Sequence, residues 1–380
     1  MKEMIELRET ESQKSKLATE YQSAHIVRRA ENPLLTTRNV KSSRPDFVVD
    51  GIFNCGATKY GDEYILLCRV AESVKCDREG FVAFPVVVEH QGKSEFEVVV
   101  LEKSKHMEYN FTDSRTITEG SDAYSNVVHL TSFSHLRIAR SKDGIHFTVD
   151  ETPLIMPDPY SECWGMEDPR ITCIGGIYYI NYTAVSPDGA ATALLSTDDF
   201  KTFHRHGLIF LPENKDVAIF PEKVNGKYLA FNRPVPRSIG SPDIWVSESE
   251  DLIHWGNHQH FYGTSETGWE NGRIGGGAPP FRTEKGWVKI YHAADKNHRY
   301  CLGAFLLDIN NPMKVIAKSK TPLLEPEMGY ETEGFFGNVV FTCGCIVENN
   351  MIEIYYGAAD DKICRADISI DDLYRHLGMS

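Results

Sequence analysis

Apolar and polar positions in this chain alternate in short runs and rarely keep helical spacing. A run of β-forming residues leads into a turn of Gly, Asn, Asp or Lys, and a second run rich in Tyr, Ile and Leu follows. The pattern occurs five times: FNCGATKYGDEYILLCRV from Phe53, EDPRITCIGGIYYINYTAV from Glu167, FPEKVNGKYLAFNRP from Phe220, PPFRTEKGWVKIYHAAD from Pro279 and VVFTCGCIVENNMIEIYYGAAD from Val339. Each copy predicts a β-hairpin. A third strand, ending in Ser-x-Asp with an aromatic close behind, follows several of them. LRIARSKDGIHF, ALLSTDDFKTF and IWVSESEDLIHW carry it, at Ser141, Ser196 and Ser249. LGAFLLDINNPMKV and ADISIDDL look like degenerate copies.

Repeats of about fifty residues, each a small antiparallel sheet, predict an all-β chain folded as a five-bladed β-propeller. The competing fold is a β-sandwich with accidental internal similarity. Between Arg69 and Arg140 the chain must hold the rest of the first blade and an insertion containing FVAFPVVVEH and FEVVVLEK. Helix is scarce, and Met1 to Ala30 is the best stretch for one. The expected organisation is therefore a short N-terminal helical extension over 1–30 and a single catalytic propeller over 31–380.

Charge narrows the partners. With 54 acidic and 40 basic residues the formal charge is −14. Nucleic acid and anionic membrane both need a basic footprint, so neither is expected as the main partner. A small anion held by a few local Arg and His residues remains compatible. No apolar stretch reaches the length of a membrane span. The N-terminus lacks the apolar core of a signal peptide. Nine cysteines at irregular spacing, with no CxxC pair, predict reduced thiols and a cytoplasmic protein.

In a propeller the first strand of each repeat lines a central channel, and ligands bind at its mouth. Polar residues on such a strand need a reason. The repeats place Asn54, Glu167 with Asp168 and Arg170, Glu222 with Lys223, and Arg282 at or near this position. The ends of the second strands add Arg69, Arg233 and His292. Carboxylates flanking a sugar are the usual device for breaking a glycosidic bond. Clustered Arg and His suggest an anionic co-substrate. Trp164, Trp269, Tyr160 and Tyr291 are candidates for stacking on sugar, although each taken singly reads as core. No metal site is expected: His204 with His206, and His258 with His260, have no evident third ligand.

The segments FNCGA, LLCRV, EDPRIT, FPEKVNGKY, GRIGGGAPP, IYHAAD, LLEPE and NVVFTCG occur in the order found in glycoside hydrolase family 130, which the chain resembles from Asn32 to Asp371. That family comprises inverting β-mannoside phosphorylases and a few β-mannosidases, on a five-bladed propeller. The resemblance implies a phosphorylase that cleaves a β-mannoside, with a β-1,2-linked oligosaccharide expected. Inorganic phosphate would be the co-substrate, no cofactor would be needed, and α-mannose 1-phosphate would be the product. By the same resemblance Asp168 is the general acid, acting through a hydroxyl of the bound mannose. Asn54 and Arg69 hold that mannose, and Glu167, Arg170 and Arg233, singled out by their place in the repeats, are candidate further substrate contacts. Arg205, His206, Arg273 and His292 fall at phosphate-binding positions. This chain has Arg205-His206 where many members have Arg-Asn, Arg273 where many have Lys, and Phe335 and Gly337 where others have Asp and Pro. Two alternatives stay open. One is an inverting β-mannosidase using Glu222 with Glu266 or Glu270. The other is a propeller that binds glycans without cleaving them. The charged N-terminal arm makes a homo-oligomer plausible.

Overall fold

The computed structural model describes residues 26–120, 126–236 and 238–379. Among them strands dominate, and the two α-helices, Gly329–Thr332 and Ile370–His376, are short. The protein is all-β, as expected. Among the described residues no helix is long and apolar enough to cross a membrane.

The repeats correspond to sheets. The first holds Phe47–Tyr60, Glu63–Val74 and Ser132–Ser141, and the second holds Gly165–Ile174, Ile177–Ser186, Gly189–Thr197 and His204–Phe210. A single parallel pairing, Gly165 with Ser134, joins these two into one larger sheet. The third sheet runs in order Asn214–Ile219, Tyr228–Pro234, Ile244–Ser249, Trp255–Tyr262. The fourth is built on Arg273–Gly276, Gly286–Ala294, Tyr300–Leu307 and Val315–Lys318. The fifth contains Val340–Glu348, Met351–Ala358 and Lys362–Ser369, and its outer strand is Val27–Arg28. Local chemistry sets the hairpins. At Gly175 and Gly176 both φ values are positive, 60° and 85°, as a tight two-residue hairpin turn requires.

Five apolar clusters separate the sheets. Leu67, Leu136 and Met166 lie between the first and second, and Leu194, Val217 and Ala230 between the second and third. Phe231 and Trp287 join the third to the fourth, and Ile290, Leu302 and Ile352 the fourth to the fifth. A further cluster, with Ile52, Leu66 and Tyr355, packs the fifth sheet against the first.

Three sheets share a buried clasp that the repeats did not reveal. A carboxylate before the first strand meets a tyrosine on the second strand and a cation on the outer strand. The sets are Glu162, Tyr182 and Arg205; Glu270, Tyr291 and Lys318; and Glu331, Tyr356 and Arg28. Arg205 Nη1 donates to Glu162 at 2.6 Å, and Arg28 Nε to Glu331 at 2.8 Å. Such carboxylates stay buried only because they are paired.

The insertion contains the two segments expected of it. The long insertion is a hairpin, Phe81–His90 with Lys93–Glu102, followed by a small sheet of Tyr109–Asn110, Thr116–Glu119 and Asn126–Leu130. The expected N-terminal helix lies outside the described residues up to 25, and at its end Val27–Arg28 is a strand. In the second repeat the turn shifts by one residue. Thr197 and Asp199 form it, while Ser196 binds His206. His258 and His260 sit on a strand and bind Ser247 and Asp243.

Candidate active site

Each of the first three sheets carries a β-bulge at the same place on its first strand. The register shifts between Phe53 and Gly56, between Glu167 and Arg170, and between Lys215 and Ala218. In each bulge one residue is left-handed: Asn54 at φ 48°, Asp168 at 50° and Asp216 at 58°. Asn and Asp tolerate this region better than other non-glycine residues. A bulge re-aims a side chain that would otherwise alternate with its neighbours. Strained positions of this kind gather at functional sites.

The second strands supply the matching row. Just before each bulge, Phe53 pairs with Arg69, Glu167 with Thr183, and Lys215 with Arg233. In the fourth and fifth sheets the same position pairs Gly275 with His292 and Phe341 with Gly357. Residues from all the sheets thus meet at one cavity of about 540 Å³. It is lined by Asn54, Arg69, Asp168, Lys215, Asp216 and Arg233, and by Arg273, His292, Tyr300 and Asp360 across from them. Arg115 of the insertion and Phe336 stand at its edge.

Asp168 accepts from Asn54 Nδ2 at 3.0 Å and from Arg69 Nη1 at 3.0 Å, both on Oδ1. Arg69 also donates to Glu167 at 2.8 Å and to Ser134 at 2.9 Å. Burial alone would raise the Asp168 carboxyl. The Arg69 and Lys215 charges and the Asn54 hydrogen bond outweigh it and hold the group below the ordinary carboxylate range. Asp360 goes the other way. Burial, and then the charges of Asp168 and Glu167, push it up to about 7 against the pull of Arg69.

The opposite wall is cationic. Arg233 Nε donates to Asp216 at 2.6 Å, His292 Nε2 lies 3.3 Å from the same oxygen, and Arg170 Nη2 is 3.4 Å from the other. Burial lowers the His292 imidazole more than Asp216 raises it, so the ring is neutral. Among the described residues its buried Nδ1 has no hydrogen-bond partner. Lys215 Nζ reaches Glu167 only at 4.0 Å. Among the described residues no carboxylate pairs with Arg273, whose guanidinium lies 5.8 Å from the Tyr300 ring. Five cationic side chains therefore face three carboxylates in the cavity of a protein whose net charge is −14. That local excess suits an anion.

Of the residues singled out by sequence, Asn54, Arg69, Asp168, Arg233, Arg273 and His292 line this cavity. Glu167 braces Arg69 beside it. Arg170 is buried beneath, donating to the carbonyls of Gly276 and Gly277 at 2.8 Å each, so it supports the wall and does not face a ligand. Arg205 and His206 are absent from the lining. Arg205 is committed to Glu162 and the carbonyl of Met156, and His206 to Ser196. The glutamates do not converge either. Glu222 is exposed and paired with Arg282, Glu266 is exposed in a loop, and Glu270 is buried against Lys318 and Tyr291. Trp269 and Tyr291 stack on each other in the core side of the fourth sheet, 5.8 Å apart. Sequence reading missed Lys215, Asp216 and Asp360. Aligning the repeats on Asn54 and Asp168 would have found Asp216, with Lys215 before it. Among the described residues no group of three or more His, Cys, Asp or Glu side chains is arranged to hold a metal ion.

Comparisons agree with this geometry. The family described as "beta-1,4-mannooligosaccharide phosphorylase" matches residues 122–377. The chain is 44% identical to the β-1,2-mannobiose phosphorylase of Listeria innocua, over 93% of this chain and 98% of that one. It is 43% identical to a 1,2-β-oligomannan phosphorylase of a Thermoanaerobacter species, over 63% of this chain and 80% of the relative. The solved Listeria innocua enzyme, in complex with β-1,2-mannobiose, superposes with a TM-score of 0.87 over 93% of this chain and 99% of that one. Bulged carboxylate, cationic wall and sequence likeness lead to one conclusion: the chain belongs to glycoside hydrolase family 130.

Proposed function

We propose that this protein is an inverting β-mannoside phosphorylase, acting on β-1,2-linked manno-oligosaccharides and releasing α-mannose 1-phosphate. The observation that carries the reading is the wall of Lys215, Arg233, Arg273 and His292 facing Asp168. Asn54, Arg69 and Asp360 hold the terminal mannose against Asp168. Phosphate lies among the four basic groups and attacks the anomeric carbon from that side. The glycosidic bond breaks on the opposite face, and its oxygen leaves with a proton drawn from Asp168 through a hydroxyl of the mannose. The carboxyl must first gain that proton. A phosphate beside Lys215 offsets one of the charges that hold Asp168 ionised, so co-substrate binding favours the acid form. The preformed wall contributes positioning and charge stabilisation.

The phosphate set in this reading takes Lys215 and Arg233 in place of Arg205 and His206. Inorganic phosphate is a co-substrate, and no cofactor is invoked. The five sheets are read as the blades of one propeller, supported by an apolar cluster between every neighbouring pair and between the fifth and the first. The catalytic unit then begins near residue 26, because Val27–Arg28 completes the fifth sheet. Nine unpaired cysteines favour the cytoplasm. The hydrolase reading has no converging pair of glutamates to support it.

The test is incubation with β-1,2-mannobiose, with and without phosphate. Mannose 1-phosphate formed only with phosphate is the expected result, and its loss in Asp168→Asn is expected too. Free mannose formed equally in both tubes would overturn the reading.

A further inference from the structure

A second cavity, of about 440 Å³, lies between the insertion and the first sheet. Phe81, Phe111 and Phe335 line it, with the Arg78 guanidinium 3.6 Å from the Phe81 ring, and Asp50, Asp113 and Ser132 supply polar groups. Its size falls within the roughly 300–1,000 Å³ of small-molecule sites. The lining is neither a continuous apolar groove nor a charged patch. Flat rings beside hydroxyls and carboxylates suit a sugar, which has apolar faces and a polar edge.

The two cavities share a wall. Phe336 lines the first and Phe335, its neighbour in the chain, lines the second. Arg115 lines the first and Asp113 the second. Those two are joined by a two-pronged ion pair, with distances of 3.0 and 2.8 Å. Arg115 also lies 5.5 Å from the Phe336 ring. One ion pair and one pair of adjacent phenylalanines therefore separate the sites.

Reaction geometry says which part of a substrate would enter. In an inverting displacement the nucleophile and the leaving group occupy opposite faces of the sugar. The basic wall belongs to the third and fourth sheets, and Asp168, Asn54 and Arg69 to the first two. The leaving oligosaccharide thus departs over the first two sheets. The insertion rises there, between the strand that carries Arg69 and its partner Ser132–Ser141. On the phosphorylase reading above, we propose that the second cavity is a distal sugar subsite. It receives mannosyl units beyond the first leaving residue, so the enzyme favours chains longer than the disaccharide.

Two variants and two readouts test this on the full chain. Phe335 is 52% exposed, so Phe335→Ala should fold normally. Ser114→Trp narrows the cavity from an exposed position. With phosphate present, both should lower kcat/KM for β-1,2-mannotetraose by about tenfold and leave that for β-1,2-mannobiose within about twofold. Equal losses on both substrates, or none on the tetraose, would overturn the subsite. The second readout needs no turnover. Cys76 lines the cavity and is exposed. Mannotetraose at about ten times its Kd, without phosphate, should slow alkylation of Cys76 about tenfold, and mannobiose should not. Alkylation unaffected by the tetraose would also overturn the proposal. If no mannoside is phosphorolysed and Cys76 is still protected, the functional reading fails and the sugar subsite stands.

Discussion

Gly357 stands where the other sheets carry Arg69, Thr183, Arg233 and His292, and a side chain there would strike the site. A Cβ would sit 2.1 Å from Asn54 Oδ1 and 2.9 Å from the Asn54 backbone nitrogen. Asn54 is buried and fixed in a bulge, so it has little room to yield. Gly357→Ala should therefore displace the Asn54 amide and break its 3.0 Å hydrogen bond to Asp168. Overpacking of this kind costs about 1–3 kcal/mol. A hydrogen bond to a charged group adds about 1.5–3 kcal/mol. At this chain length each kcal/mol lowers Tm by about 1 °C. Asp168 also loses its register with the mannose hydroxyl that relays its proton, and a shift near 1 Å costs about a hundredfold in rate. We expect kcat for β-1,2-mannobiose to fall about a hundredfold and Tm to drop by several degrees, measured by mannose 1-phosphate release and thermal unfolding. The control is Gly256→Ala, on an outer strand with nothing within 4 Å, which should leave both unchanged. Wild-type kcat in Gly357→Ala would refute the claim that Asn54 positions the acid.

Three further outcomes are expected. Arg273→Ala should raise KM for phosphate about tenfold or more, with little change in Tm, because a charge-assisted contact of about 1.5–3 kcal/mol is lost and no protein carboxylate is orphaned. Arg205→Ala should do the reverse: it strips Glu162 of its cation at a stability cost of about 1–3 kcal/mol while KM for phosphate stays put, and a weakened phosphate KM would restore Arg205 to the site. Asp360 binds its proton more tightly in the native state, so its contribution to stability is full below the ordinary carboxylate range and is lost as the pH rises through about 7. Tm should accordingly fall between pH 5 and 8 more steeply in the wild type than in Asp360→Asn, and parallel curves would show that Asp360 does not titrate there.

Much of this was legible because repeats constrain one another. Five hairpins with turn residues between them located the sheets, and polar residues on first strands led to Asn54 and Asp168. Cations at the ends of second strands led to Arg69, Arg233 and His292. Arg205 came to the phosphate set through the resemblance alone, which carries no information on the partners of its side chain. Only the fold shows that its strand is the outer one and that Glu162 claims it. Glu270, open as an alternative in the hydrolase reading, has its buried carboxylate in the clasp with Tyr291 and Lys318. Lys215 and Asp216 stayed hidden because a bulge leaves no mark in composition. Its trace is a left-handed Asn or Asp among β-formers, visible only when repeats are superposed. Asp360 escaped notice because a carboxylate after a strand looks like an ordinary solvated turn, and its closeness to Asp168 is tertiary.

The outer strand of the fifth sheet has a consequence for the order of folding. Arg29 and its partner Asp367 are 338 residues apart in the chain. During synthesis at about 5–20 residues per second, Val27 and Arg28 leave the ribosome roughly 20–70 s before the strand they must join. The hairpins of the first four sheets are local and can assemble meanwhile. The fifth must wait for both ends of the chain. Its closure is the slow, non-local step, and until then the edge of Lys362–Ser369 offers open backbone groups to any other strand that arrives first.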